Sequence, residues 1–357
     1  MSEPCASPRA AVLLLRALVT VALMAASGCA TVHKWKQEHH EASLHRQQTE
    51  EAAARENGSK ADRAESLRQA QEAARLPRLQ DELVARGDAE SLAAAALIQG
   101  QISGFSSGTA LDLAARAVAA APDRTDLMLL QMQLCEGTPT CDPLPLERRL
   151  LVLDPENGIP WVYALLRADR EHRPADWEAA RSGLAQAKRV DLYWNRTVSH
   201  LAKAVTGKAG FNANAAFSQV IGAEASFITA LQPISRACQA QEIKRPEALV
   251  QCRRIAMVLR HADTTLLEAN GSSVAMRVWP AGSAERREVI SERRALRYRV
   301  DLMTRYAKQL NSPQAIDTLA GLIAQYPTEQ AAMRALYVHQ GLKPDPPTDW
   351  VDPQPDG

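Results

Sequence analysis

The chain has 357 residues, 42 of them Lys or Arg and 41 Asp or Glu, for a formal net charge of +1. So even a balance lacks the basic excess by which nucleic-acid binders meet phosphate. With aromatics at only 4%, few rings are available to stack on bases or sugars. The length leaves room for one large or two modest domains with a sizeable core.

Arg9 puts positive charge near the start, and Ala10 to Ala26 is apolar except for Arg16 and Thr20. This is the order of a secretory leader. The unbroken apolar run, Ala17 to Ala26, is about ten residues, short of the roughly 20 that a spanning helix needs. The segment closes on Ala26-Ser27-Gly28-Cys29, small residues running into a cysteine. This resembles the lipobox of bacterial lipoproteins, with Ala26 standing where that family usually has Leu. The resemblance implies that residues 1–28 are a cleaved signal peptide and that Cys29 carries diacylglycerol. Two or three acyl chains hold a protein stably on a membrane, so the lipid alone would set the location. Ala30 stands where an Asp would retain such a lipoprotein at the inner membrane. The implied site is therefore the outer membrane, facing the periplasm.

Residues 29–80 are rich in Glu, Gln, Arg, Lys, His and Ala, with a loop-like break at Asn57-Gly58-Ser59. They are expected to form a polar helical or disordered stalk. His39, His40 and His45 lie there, and a solvated helix face explains them better than a metal site, which needs convergent, buttressed ligands.

The body is expected over 81–342. Leu79, Leu83, Leu92, Ala95 and Leu97 fall at helical spacings around a stop and restart at Gly87-Asp88. Few Val, Ile or Thr runs alternate as strands do, so an all-α body is expected. Leu111 to Asp123 is an Ala-rich helix ended by Pro122, and Arg148 to Glu156 repeats the form at Pro155. The helix Asp176 to Lys188 follows a linker at His172-Arg173-Pro174, and Ala315 to Pro327 ends the same way again. Spacing near 34 residues, with small residues in the second helix and a closing Pro, resembles the tetratricopeptide repeat. That implies stacked antiparallel helical hairpins, because one such hairpin cannot bury its apolar face alone. Gly207 to Gln232 shows no repeat, so both a repeat α-solenoid and an irregular helical bundle stay open.

Four cysteines remain after Cys5 and Cys29. In an oxidising compartment Cys135, Cys141, Cys238 and Cys252 are expected to form disulfides. Of three possible connectivities, Cys135 with Cys141 and Cys238 with Cys252 close the shortest loops. No C-x-x-C spacing occurs to suggest zinc.

Arg286 to Lys308 is dense in arginine. On a helix, Val289, Ile290, Ala295, Leu302 and Met303 would face the core, leaving the arginines to solvent or to an anionic surface. Trp161, Tyr163, Trp177, Tyr193 and Trp194 are expected to anchor the core. Residues 343–357, with Pro344, Pro346, Pro347, Pro353 and Pro355, cannot hold a helix and are expected to form an extended, exposed, disordered tail. No H-E-x-x-H, G-x-S-x-G or phosphate-binding glycine loop is present, so no catalytic residue, metal or cofactor is expected. The expectation is a non-enzymatic, lipid-anchored scaffold for a protein or peptide partner. The alternative is a cell-envelope enzyme or accessory factor whose site is assembled from distant residues.

Overall fold

The computed structural model describes Arg63 and residues 74–352, apart from 106, 137, 139–140, 226–231 and 308–311. The expected leader, Cys29, and the stalk up to residue 73 except Arg63 lie outside the described residues, as do 353–357 of the tail. A compact unit begins at Gln71.

Helix α1 spans 74–86, followed by α2 (Ala89–Ser103), α3 (Gly108–Ala120), α4 (Thr125–Glu136), α5 (Leu144–Leu153) and α6 (Ile159–Arg170). Next come α7 (Pro174–Gln186), α8 (Trp194–Val205), α9 (Ala213–Ala225) and α10 (Gln232–Ala237). After a single 3-10 turn, α11 (Pro246–Leu259), α12 (Thr265–Val278), α13 (Ala284–Ala307), α14 (Pro313–Gln325) and α15 (Glu329–His339) complete the body. The described residues form no strand, and their only bridge joins Asn157 and Arg189. The all-helical expectation holds.

Local chemistry sets the helix ends. Gly87 takes φ +72°, the left-handed geometry that ends α1, and Asp88 caps α2 by accepting from the Ser91 N–H at 2.9 Å. Thr264, Ser312 and Thr328 cap α12, α14 and α15 in the same way. Proline opens α5, α6, α7, α11 and α14, where the missing N–H costs nothing.

Successive helices pack as hairpins, notably α2 with α3, α6 with α7, α8 with α9, α11 with α12, and α14 with α15. Over the first half they stack with a repeat register. Glu90 pairs with Arg124 at 2.6 Å, Glu136 with Arg170 at 2.7 Å, and Asn157 Nδ2 donates to the Asp191 carbonyl at 2.9 Å, each across 34 residues. The register then breaks. The α8/α9 hairpin returns to α2, and α14 lies against both α8 and α9. In a pure solenoid each repeat touches only its neighbours, so this closure belongs to a bundle.

Two apolar cores result. One gathers Leu79 and Leu83 of α1 with residues from α2, α3, α8, α9, α14 and α15. The other gathers α5 to α7 with α10 to α12. Helix α4 serves both, sending Leu127, Leu130 and Leu134 into the first and Met128, Leu129 and Met132 into the second. Burial all round replaces the single stripe of a surface helix. Each such side chain contributes about 1.5–3 kcal/mol of apolar burial. Close approach of α11 and α12 requires Gly271, where a Cβ would lie 2.5 Å from the Arg260 nitrogen. Tyr163 and Tyr193 are buried, and Trp161, Trp177 and Trp194 pack against the cores, as expected of anchors.

The cysteines pair locally, Cys135 with Cys141 and Cys238 with Cys252. The first bridge joins the end of α4 to the approach to α5. The second ties the end of α10 to α11, and Arg277 of α12 donates to the Ser235 carbonyl at 2.9 Å beside it.

Candidate functional site

The arginine-rich helix α13 organises the site. Its buried residues are Val289, Leu296, Arg299, Leu302 and Tyr306, so Ile290, expected to face the core, is instead exposed. Arg299, expected on the polar side, sits within the buried stripe. The helix turns once per 3.6 residues, which places position 299 three residues after Leu296 on the same face.

Arg299 faces α12 and α15. One of its terminal nitrogens donates to Glu268 Oε1 at 2.6 Å, and the other Glu268 oxygen accepts from Gln330. The Tyr337 hydroxyl donates to the Arg299 carbonyl at 2.8 Å. Glu329 accepts from both the backbone N–H (3.0 Å) and the hydroxyl (3.1 Å) of Thr265, pinning α15 to the start of α12. Burial raises the carboxyls of Glu268 and Glu329 above the usual range. For Glu268 the Arg299 charge opposes that rise, and for Glu329 the Thr265 hydrogen bonds oppose it.

Beside this group lies Asp263, whose Oδ2 accepts from the Leu192 N–H at 2.9 Å. Burial, then the charge of Asp191, push the Asp263 carboxyl well above its ordinary value. Among the described residues, neither Asp263 Oδ1 nor Arg299 Nε has a hydrogen-bond partner.

Three cavities surround α13. One of about 350 Å³ is floored by Met303, Met333 and Tyr337, with Thr265, Glu329 and Gln330 at its polar end. Another, about 360 Å³, holds Arg293, Arg297, Asp301 and Asp352. These two share Val300 and Thr304 in their linings, so they adjoin, and together they make up the groove beside α13. The third, about 460 Å³, is more polar, with Arg260, His261, Glu292 and Arg334. Arg260 is committed there to Glu292 at 2.6 Å.

The expectation that the arginines of α13 face solvent or an anionic surface needs correcting for several of them. Arg286 caps the α12 end through the Trp279 carbonyl at 3.1 Å. Arg294 and Arg297 hold the chain after α15, Arg299 holds Glu268, and Arg305 pairs with Asp301. Arg286, Arg294, Arg297 and Arg299 are thus engaged within the molecule, whereas Arg287 and Arg305 stay exposed, as expected of the solvent-facing side.

The four bridged cysteines lie outside the lining of this groove. Sequence reasoning missed Glu268, Asp263 and Glu329, each unremarkable in its own segment. The Arg299 position alone carried a signal, the three-residue step from Leu296. Among the described residues, no group of three or more His, Cys, Asp or Glu is placed to hold a metal ion, and no helix is long and apolar enough to cross a membrane. None of the family models, characterised proteins or solved structures compared with the chain matches it.

Proposed function

We propose that the chain is a bacterial lipoprotein, anchored in the outer membrane through Cys29 and facing the periplasm. Its helical body is a non-enzymatic scaffold that binds an extended protein or peptide segment across α13. The observation that carries the binding half is the groove itself. Its two cavities meet at Val300 and Thr304 and combine an apolar floor with polar ends, as peptide-binding surfaces do. The carboxylates beside it accept from protein donors, which suits a fixed wall better than a proton-transfer pair. The lipid half rests on Ala26-Ser27-Gly28-Cys29.

Two measurements test the two halves separately. Labelled palmitate should enter the wild-type chain and fail to enter Cys29→Ala, and an unlabelled wild type sinks the anchor. A photo-crosslinking residue at position 300 should capture a peptide ligand, whereas the same residue at exposed Val152 should not. Equal capture at both sinks the groove.

The second reading, a cell-envelope enzyme or accessory factor with a site assembled from distant residues, draws on one contact. The Thr265 hydroxyl and the raised Glu329 carboxyl, 64 residues apart, meet at the polar end of a cavity. Hydrolysis of envelope-derived substrates by the wild type, lost in Thr265→Val with folding retained, would favour it.

A further inference from the structure

Residues 343–352 carry no helix, and a turn closes within them, the Trp350 N–H donating to the Pro347 carbonyl at 3.1 Å. Yet this expected disordered tail is seated on α13 over its described length. Arg294 donates to two of its carbonyls, Pro347 at 2.9 Å and Trp350 at 2.7 Å. The Trp350 ring meets Tyr298 edge-on at 5.4 Å between centroids, with the Arg294 guanidinium 5.3 Å from its centre. Asp352 pairs with Arg297 at 2.7 Å.

Positions 294, 297 and 298 are spaced i, i+3 and i+4, so they form one helix face. That face offers a two-carbonyl fork, an aromatic wall and a cation in a row. Arginine and aromatic side chains are the groups that dominate recognition energies. The contacts sort by information. Arg294 reads backbone, two carbonyls that the turn from Pro347 to Trp350 brings together on one terminal nitrogen. Tyr298 reads an aromatic ring, and Arg297 reads an acid two residues beyond it. Pro346 and Pro347 ahead of the ring restrict the backbone and lower the entropy lost on docking.

The seat is also continuous with the groove. Asp352 lines the cavity that holds Val300 and Thr304, and Asp345 lines the more polar cavity that Arg299 also lines. The tail thus lies across the approach to the surface assigned above to a partner.

We propose that the Arg294–Arg297–Tyr298 face is a binding site for a Pro-x-x-Trp-x-Asp turn of a partner protein. The chain's own tail fills this site as an autoinhibitory strap. The proposal deepens the peptide-binding reading of the groove and rests on it. Only a short run separates α15 from the seat. A tether of that kind sets an effective concentration of about millimolar order, and a partner must outcompete it. The strap therefore favours segments that make the same contacts and exclude weaker ones.

The test uses the full-length chain and a fluorescein-labelled peptide matching residues 343–352, followed by anisotropy. The doubly substituted chain Trp350→Ala/Asp352→Ala should bind the peptide at least about tenfold more tightly than wild type, since its own strap no longer competes. Arg297→Glu added to that chain should abolish binding of the natural peptide and restore it for a peptide carrying Lys in place of the Asp352 equivalent. Such a charge exchange cannot arise from misfolding. Equal binding by wild type and opened chain overturns the strap. So does no binding by an opened chain that keeps its helical circular dichroism and melting transition. A peptide library selected on the opened chain separates the two readings. Enriched sequences that lack the aromatic-acid pair sink the strap and leave the groove standing, whereas no enrichment at all sinks both.

Discussion

Two regions of the body treat buried charge in opposite ways. Between α5 and α7, Arg167 meets Glu147 in a two-point pair at 3.1 and 2.9 Å, with both side chains buried. Arg181, also buried, reaches Gln251 at 2.8 Å and Glu242 at 2.9 Å across to α11 and the turn before it. Around α9, α12 and α15 the buried groups are chiefly acids. Glu224 is buried, and among the described residues its Oε1 has no partner, Asp263 faces Asp191, and Glu329 leans on a threonine. The paired region answers its interior charges with opposite ones, whereas in the acid region burial raises the carboxyls above their ordinary range. The first is therefore tuned by partners, the second by pH.

Removing one member of the answered pair should have the largest effect. Arg167→Ala leaves Glu147 charged and buried, and should cost about 3–5 kcal/mol in urea unfolding at neutral pH. A loss below about 1 kcal/mol would show that water reaches the pair and would dissolve the contrast.

The acid region should reveal itself by titration. Burial, with a smaller contribution from the Asp126 charge, pushes the Glu224 carboxyl up to about 8 from an ordinary 4.5. A folded-state value above the unfolded one favours the protonated form on folding. The native state is therefore fully favoured below about pH 4.5, and that advantage is lost as pH climbs through 8. Melting temperature should fall across this window. Glu224→Gln should flatten the fall and gain about 1–3 kcal/mol over wild type near pH 9. A wild-type profile flat from pH 5 to 9 contradicts the assignment.

The two disulfides sharpen the comparison by a smaller margin, one bridge standing at the exit of α4 and the other beside α12. The loops they close span separations of 6 and 14 residues, so chain entropy favours the longer by about 0.7 kcal/mol. Replacing Cys238 and Cys252 with Ser should destabilise the chain by that much more than replacing Cys135 and Cys141, as read by denaturant midpoints. The smallest effect belongs to Arg149→Ala, which removes an exposed pair with Asp123 and should shift stability by less than about 1 kcal/mol.

What could be read from the chain alone was whatever is settled within a few residues. Gly87 and Asp88 mark a stop and a cap because backbone geometry and a neighbouring N–H decide both. Pro122, Pro155 and Pro327 close helices because the ring forbids their continuation. Cys135 and Cys238 find the nearest thiol because short loops close most cheaply. Only the tertiary structure decided the rest. Nothing near Trp194 says that α8 folds back to α2, and nothing near Arg299 says that Glu268 awaits it. Asp263, Glu329 and Glu268 become one acidic group only when α11, α12 and α15 converge, and Trp350 gains a seat only because Arg294 and Tyr298 share a helix face. Those outcomes depend on contacts between distant segments, where the free energy lies in a joint arrangement that no single segment encodes.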